Sequence, residues 1–416
     1  MNRITPHQDS VIKKMMTCCD PEIWYHKYQC PDHKKEGSRV IPFTCKTNIC
    51  TTCSAITNDR WWEEIKNYFP ETNYLHITFT MPQEFRNFFW AEDDDNWTRK
   101  NALYELAWKV LHWYFKQRYK NTKFSLFEWF KTWCIMVLHT FWRKLNLNPH
   151  MHIVLPAWWV FEKKEWKYKW KSIETVSKDY LSIAWKRNLL EYILDNTSCF
   201  NGYTKHIMGL LSTNNNDSEK SKKTNDKLLS DFRSVMNIVD KVVNNEHERQ
   251  NWKYVLDVYY YINVSKKSDY EDTVCYVARY TRRLPISETN IIDHDMENDT
   301  VTYQVKAHDE YAPVDITVDT YIFMNRVIQH IRPKHFKLVR YFWIFANKNK
   351  AKYQPILRSL LPFSNPTPIP SWRERQLHYF WEDPLICPCC KKDMVVTEKA
   401  HLDSNTWKLL KKNICT

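Results

Sequence analysis

The sequence predicts an α+β protein: an antiparallel sheet flanked by helices and preceded by a small cysteine-rich module. Three observations predict it. Apolar and β-branched residues alternate in strand fashion at 74–81, at 133–139 and around His150-Met151-His152. Stretches between and after them carry apolar residues at helical spacing. Short-spaced cysteine and histidine pairs crowd residues 17–54.

In chain order, Cys30-Pro-Asp-His33 and Cys50-Thr-Thr-Cys53 are ligand pairs of C-x2-H and C-x2-C type, with Cys45 as a fifth candidate that could displace His33. Thiolate and imidazole suit tetrahedral Zn2+, and four such ligands leave no open position, so this zinc is expected to be structural. Residues 57–69 read as a short helix that stops before Pro70. The strand at 74–81 ends at Pro82. A helix from Phe85 to about Lys120 places Leu103, Leu106, Ala107, Val110, Leu111 and Tyr114 on its buried side.

The strand around His150 and His152 follows. Residues i and i+2 of a strand share a face, so both imidazoles project from one side of the sheet, placed to share a metal ion, while Met151 points into the core. Paired with 133–139, this strand brings His139 near the same face. A third ligand there makes a Mg2+ or Mn2+ site, although imidazole-rich sites also suit zinc. The pair alone does not decide the matter, because two strand histidines without a metal give the same pattern.

A helix is expected at about 176–194. The polar tract 212–227 is too poor in apolar residues to fold alone and reads as an exposed insertion. Helix 228–243 and strand 254–264 come next. Then Tyr276 and Tyr280, at i and i+4, share one helix face beside Arg279, Arg282 and Arg283, a cationic field suited to phosphate. Packing tyrosines beside solvated arginines would look the same. A hairpin over 300–318 and a helix over 319–331 follow, and Cys387-Pro-Cys-Cys390 in the tail offers a second zinc knuckle with only His401 and Cys415 as later partners.

The 61 Lys+Arg against 48 Asp+Glu, net +13, favour a polyanionic partner such as nucleic acid. The N-terminus lacks the apolar stretch of a secretion signal and no apolar run is long enough to span a membrane, so a cytoplasmic protein is expected.

The stretches YHKYQCPDH, FTCKTNICTTC, YLHITFTMP, VLHTFWRKLNLNPHMHIVLP, YVARYTRRLPIS and HFKLVRYFWIFANK together resemble the two-tyrosine rolling-circle transposases of the insertion-sequence-91 type, within the HUH endonuclease group. His33 stands where that family usually has cysteine. The resemblance implies a zinc-binding module at 1–70, an HUH-type catalytic domain at 71–350 with the polar insertion near 212–227, and a tail at 351–416. It implies a bacterial enzyme, nucleoid-associated when acting, that cuts and rejoins single-stranded DNA at transposon ends and in target DNA. In that scheme Tyr276 and Tyr280 are the nucleophiles, His150, His152 and His139 hold Mg2+ or Mn2+, and the arginines contact DNA. Two other readings compete: a relaxase-like replication initiator of the same nuclease group, and a decayed zinc-dependent DNA-binding protein without catalysis.

One compositional feature follows from the same resemblance. The chain has 3 glycines and 20 tryptophans, where ordinary usage gives about 29 glycines. Family members have glycine where this chain has Trp24, Trp142, Trp158, Trp159 and Trp343. The expectation is that many tryptophans are UGA codons that the source organism decodes as glycine.

Overall fold

The computed structural model describes residues 4–47, 49–53, 61, 65, 67–81, 83–90, 96–119, 134–142, 144–164, 167–173, 175–196, 262–265, 268–270, 274, 284–306, 312–365, 368, 370–402 and 409–414. In chain order its elements are α1 (Pro6–Met16), β1 (Tyr25–Gln29), β2 (Ser38–Pro42), β3 (Tyr74–Thr80), α2 (Gln83–Trp90) and α3 (Asn96–Tyr119). Next come β4 (Ile135–Phe141), β5 (Leu147–Pro156), β6 (Trp158–Lys164), β7 (Lys167–Ser172), α4 (Lys178–Asp195) and β8 (Ile262–Val264). The rest are β9 (Ile291–Asp295), β10 (Thr300–Lys306), β11 (Pro313–Asp319), α5 (Thr320–Ile328), β12 (Val339–Tyr341), α6 (Asn347–Leu360), α7 (Trp372–Phe380), β13 (Val395–Leu402) and β14 (Leu409–Asn413). Every strand pairing among them is antiparallel, giving the α+β class the sequence predicts.

The chain divides into two compact units. The first comprises Met1–Arg3, Tyr68–Thr281 and Asn290–Ser364. Its main sheet has the order β12-β4-β5-β3-β8, which puts the His-Met-His strand in the middle. On one face Phe79 stands opposite Met151 and packs on Trp185 of α4 with ring centroids 4.9 Å apart. The Trp185 indole N–H is satisfied by the Thr80 carbonyl at 2.7 Å. Burying side chains of this size stabilises by about 1.5–3 kcal/mol each, so this aromatic seam fixes the helical layer against the sheet. Phe88 and Phe89 of α2 meet Tyr192 of α4. The six apolar positions predicted for the inner side of the long helix are all buried in α3. The predicted single helix is two, α2 and α3. The expected hairpin and following helix are β10, β11 and α5, and β6 pairs with β7 as a further ribbon.

The second unit comprises Ile4–Asn67, Arg282–Thr289 and Asn365–Thr416. Its α1 begins with Thr5 and Gln8 in a reciprocal capping box and Pro6 in the first turn. Its sheet runs β14-β13-β1-β2, with Tyr25 opposite Ala400 and Gln29 opposite Val395. Residues 365–416 therefore stand with the N-terminal module, whereas α6, of which the sequence places all but the first four residues in the tail, stands with the first unit. The physical reason is backbone pairing: β1 has a free edge beside β2, and β13 fills it. Cysteine spacing carries no trace of that pairing. The tract 212–227 and the predicted helix at 228–243 lie outside the described residues, and the strand predicted at 254–264 is described only as β8.

Candidate metal centres

The first centre is built by strand register. On β5, His150 and His152 point to one face, opposite to Met151. On β4, His139 stands directly across from His150, and Val137 across from His152. One ring nitrogen from each of His139, His150 and His152 lies within 4.8 Å of the other two. The ring centroids are 4.4 Å apart for His139 and His152, 4.9 Å for His150 and His152, and 5.3 Å for His139 and His150. Thr80 and Thr78 of β3 lie across from His150 and His152 on the other side.

Hydrogen bonds engage one nitrogen of His150 and one of His152 and leave the other for a metal. The His150 Nδ1 sits 2.6 Å from the Asn148 carbonyl, which only accepts, so Nδ1–H donates and Nε2 keeps its lone pair. The His152 Nδ1 is hydrogen-bonded to Nε2 of His76 at 2.8 Å, so one of the two nitrogens carries the shared proton, and the two rings stack 12° from parallel. Burial holds His150 and His152 below the ordinary imidazole range, and repulsion from neighbouring histidines adds to this for His152. Burial, then the proximity of His150, lowers His76 to about 4. Burial therefore favours the neutral form of His76, His150 and His152, the form of imidazole that ligates metal. Three converging ring nitrogens fit a divalent cation and leave part of its coordination sphere open. His76 was absent from the residues singled out by sequence. Its signal was the alternation of Tyr74–Thr80, which puts His76, Thr78 and Thr80 on one face.

The sulfur ligands form two groups. Cys18, Cys45, Cys50 and Cys53 make one, with Sγ···Sγ distances of 3.6 Å for Cys18–Cys53 and Cys18–Cys50 and 3.5 Å for Cys45–Cys53. Cys30, His33, Cys387 and Cys390 make the other. Spacing offers the pairs Cys30/His33 and Cys50/Cys53 to a single ion, with Cys45 as the alternative to His33. The chain sorts them in two, so Cys45 and His33 do not compete, and Cys18, Cys387 and Cys390 complete the sets. The sulfur separations are far beyond a disulfide bond and near the edge of about 3.8 Å that a tetrahedron of 2.3 Å Zn–S bonds requires. At Cys387, backbone N–H groups of Cys390 and Cys389 point at the sulfur and pull its thiol down to about 6.

Tyr276, Tyr280, Arg279, Arg282 and Arg283 lie outside the described residues. Among the described residues no helix is long and apolar enough to cross a membrane.

Comparison with known proteins supplies the family. Residues 134–352, from the start of β4 through the first turns of α6, match the family described as “Putative transposase”. Residues 1–81 match “Transposase zinc-binding domain”. This chain belongs to the insertion-sequence-91 type of transposases. It is 24% identical over 389 residues to “Transposase for insertion sequence element IS801” of Pseudomonas savastanoi pv. phaseolicola, covering 93% of this chain and 82% of that protein. It is 23% identical over 385 residues to “Putative transposase y4qJ” of Sinorhizobium fredii, covering 87% and 82%. No solved structure matches it significantly. The transposase carries its zinc-binding domain at the N-terminal end, as its cysteine spacing predicts, and the histidine centre falls inside the longer matched region.

Proposed function

We propose that this transposase cuts and rejoins single-stranded DNA at its element's ends through 5′-phosphotyrosine intermediates, with Tyr276 and Tyr280 as nucleophiles. The observation that carries the reading is the register of β4 and β5, which brings His139, His150 and His152 to one point. A Mg2+ or Mn2+ ion held there would polarise the scissile phosphate and neutralise charge that builds up in the transition state.

The chain's own residues do the rest. Asn148 and His76 hold the rings of His150 and His152, so their ligand nitrogens would meet the ion with little reorganisation. The tyrosine oxygen attacks phosphorus, the bond to the 3′ oxygen breaks, and that oxygen departs as a free 3′-hydroxyl. The phosphotyrosine keeps the energy of the broken bond. Attack by another strand's 3′-hydroxyl reverses the step and releases the tyrosine, so rejoining needs no external energy. Two tyrosines let one strand end be held while a second cut is made. Arg279, Arg282 and Arg283 and the net charge of +13 favour the DNA backbone. Cys18, Cys45, Cys50 and Cys53 hold a structural zinc in the N-terminal module, which contributes to recognising the ends in transposon and target DNA. The enzyme acts in the bacterial cytoplasm, at the nucleoid.

The test incubates the full chain with Mn2+ and single-stranded oligonucleotides from its element's ends, and scores covalent protein–DNA adducts on a denaturing gel. Adducts are expected, and they should vanish in the Tyr276→Phe, Tyr280→Phe double variant and in His150→Ala. Adducts that survive the double variant, or a folded, DNA-binding wild type that forms none, would overturn the reading.

A further inference from the structure

We propose that Cys30, His33, Cys387 and Cys390 hold a second structural zinc ion, which clasps the C-terminal stretch of the chain to its N-terminal module. The inference concerns the fold of the second unit and does not depend on the tyrosine chemistry.

The ligand set is the first argument. A C-x2-H pair and a C-x2-C pair meet, with all four ligand atoms within 4.8 Å of one another. The Cys30 Sγ lies 3.5 Å from the Cys390 Sγ and 3.8 Å from the His33 Nδ1. A zinc tetrahedron with sulfur at 2.3 Å and nitrogen near 2.0 Å has edges of about 3.5–3.8 Å. Four strong ligands leave no position for a substrate, so the ion serves structure.

Both loops are shaped as metal knuckles. In the first, the Cys30 N–H donates to the Gly37 carbonyl at 2.8 Å and the Gly37 N–H donates to the His33 carbonyl at 2.7 Å. A Cβ at Gly37 would stand 2.6 Å from both the Cys30 Cβ and the His33 carbonyl oxygen, and 3.0 Å from the Cys387 Sγ. Gly37 is one of the 3 glycines this chain has, and it sits where a side chain would push the two ligand pairs apart. In the second loop, the Cys387 N–H donates to the Lys392 carbonyl, and the Lys391 N–H returns to the Cys387 carbonyl. Lys391 takes the left-handed conformation that turns the chain after Cys390. Between the loops, Lys392 pairs with Asp32 at 2.8 Å.

Placement gives the clasp its role. Cys30 directly follows Gln29, which pairs with Val395, so the cluster sits at the end of the β1–β13 ladder. Cys30 and Cys387 are fully buried, covered by Met394 and Tyr28, whereas Cys389 in the same loop is exposed. The ladder alone joins segments more than three hundred residues apart in sequence. An ion at its end closes that long loop and fixes the register of β13 on β1.

The experiment uses the full native chain, purified without added metal, with elemental analysis and alkylation of cysteines mapped by mass spectrometry. Two zinc ions per chain are expected. One should be lost in Cys387→Ser, Cys390→Ser, and the other in Cys45→Ser, Cys50→Ser. In untreated wild type, Cys389 should alkylate at once, and Cys30, Cys387 and Cys390 only after a strong chelator. This arm needs no variant to fold. Zinc content unchanged in the Cys387→Ser, Cys390→Ser variant, iron in place of zinc, or Cys387 and Cys390 labelling as fast as Cys389 would overturn the proposal.

Discussion

The histidine centre of the first unit and the cysteine clusters of the second hold their ligands in opposite ways. His139, His150 and His152 sit on paired strands, and backbone register brings them to one face before any hydrogen bond orients the rings. The sulfur ligands come from separate short segments, which turn hydrogen bonds and, for Cys30 and Cys387, the end of the β1–β13 ladder bring together. Three nitrogens leave coordination positions for a phosphate, whereas four ligands leave none. Under the proposed function, that difference divides the work of the two kinds of centre: chemistry in the first unit, folding in the second.

The sharpest way to break that comparison is metal removal. A brief exposure to a moderate chelator is expected to abolish adduct formation, and Mn2+ should restore it, while zinc content and circular dichroism stay unchanged. Lewis-acid assistance of several kcal/mol corresponds to a loss on the order of 1000-fold. Structural zinc, at about 10–16 kcal/mol in comparable small domains, should outlast the treatment. An activity loss that tracks zinc release would erase the distinction between the two kinds of centre.

A smaller effect is expected one shell out. His76 does not need to touch the ion to matter, because its contact at 2.8 Å fixes the ring of His152. Replacing such a partner weakens metal affinity by about 10–100-fold. His76→Ala should therefore raise the Mn2+ concentration for half-maximal adduct formation by that factor, with the maximal rate recovered at saturating Mn2+. His76→Gln, which can still hydrogen-bond Nδ1, should recover part of the loss. An unchanged Mn2+ requirement in His76→Ala would show that the sheet alone orients His152.

These residues mark what was legible in the sequence. The His-Met-His alternation forecast the face, the strand and, through the antiparallel partner, His139, because period-2 patterning and pairing are local. The second face of β5 was legible for the same reason, with Met151 packed away from the ligands. The split of the cysteines was not legible, since Cys30 closes on Cys390 from the far end of the chain and no local spacing reports so distant a partner. His76 was hidden differently. It lies on a strand that the sequence identified, but its partner is diagonal across β5, and register is needed to see it.

The tryptophans give the last test, the smallest in energy. Among the described residues other than glycine, Trp343 and Trp381 are the tryptophans with positive φ. Trp381 terminates α7 in the left-handed conformation, φ 59° and ψ 12°, with its N–H donating to the Leu377 carbonyl. That is the position at which helices commonly place glycine. The indole is 89% exposed, so its burial offers little to offset the backbone cost. Trp158 is the contrary case: its ring is buried and its N–H donates to the Thr72 hydroxyl. Left-handed backbone costs an ordinary residue about 1–2 kcal/mol, so Trp381→Gly should stabilise the second unit by about 1 kcal/mol in denaturant unfolding. Trp381→Ala should gain nothing comparable. At Trp343 the gain should be smaller, because the ring packs on Tyr353 at 5.3 Å and that contact would be lost. If UGA is read as glycine in the source organism, peptide mass spectrometry of the native protein should find glycine at 381 and 343. Tryptophan at both would make the left-handed backbone there a strain the chain carries, and would remove the codon explanation from these two turns.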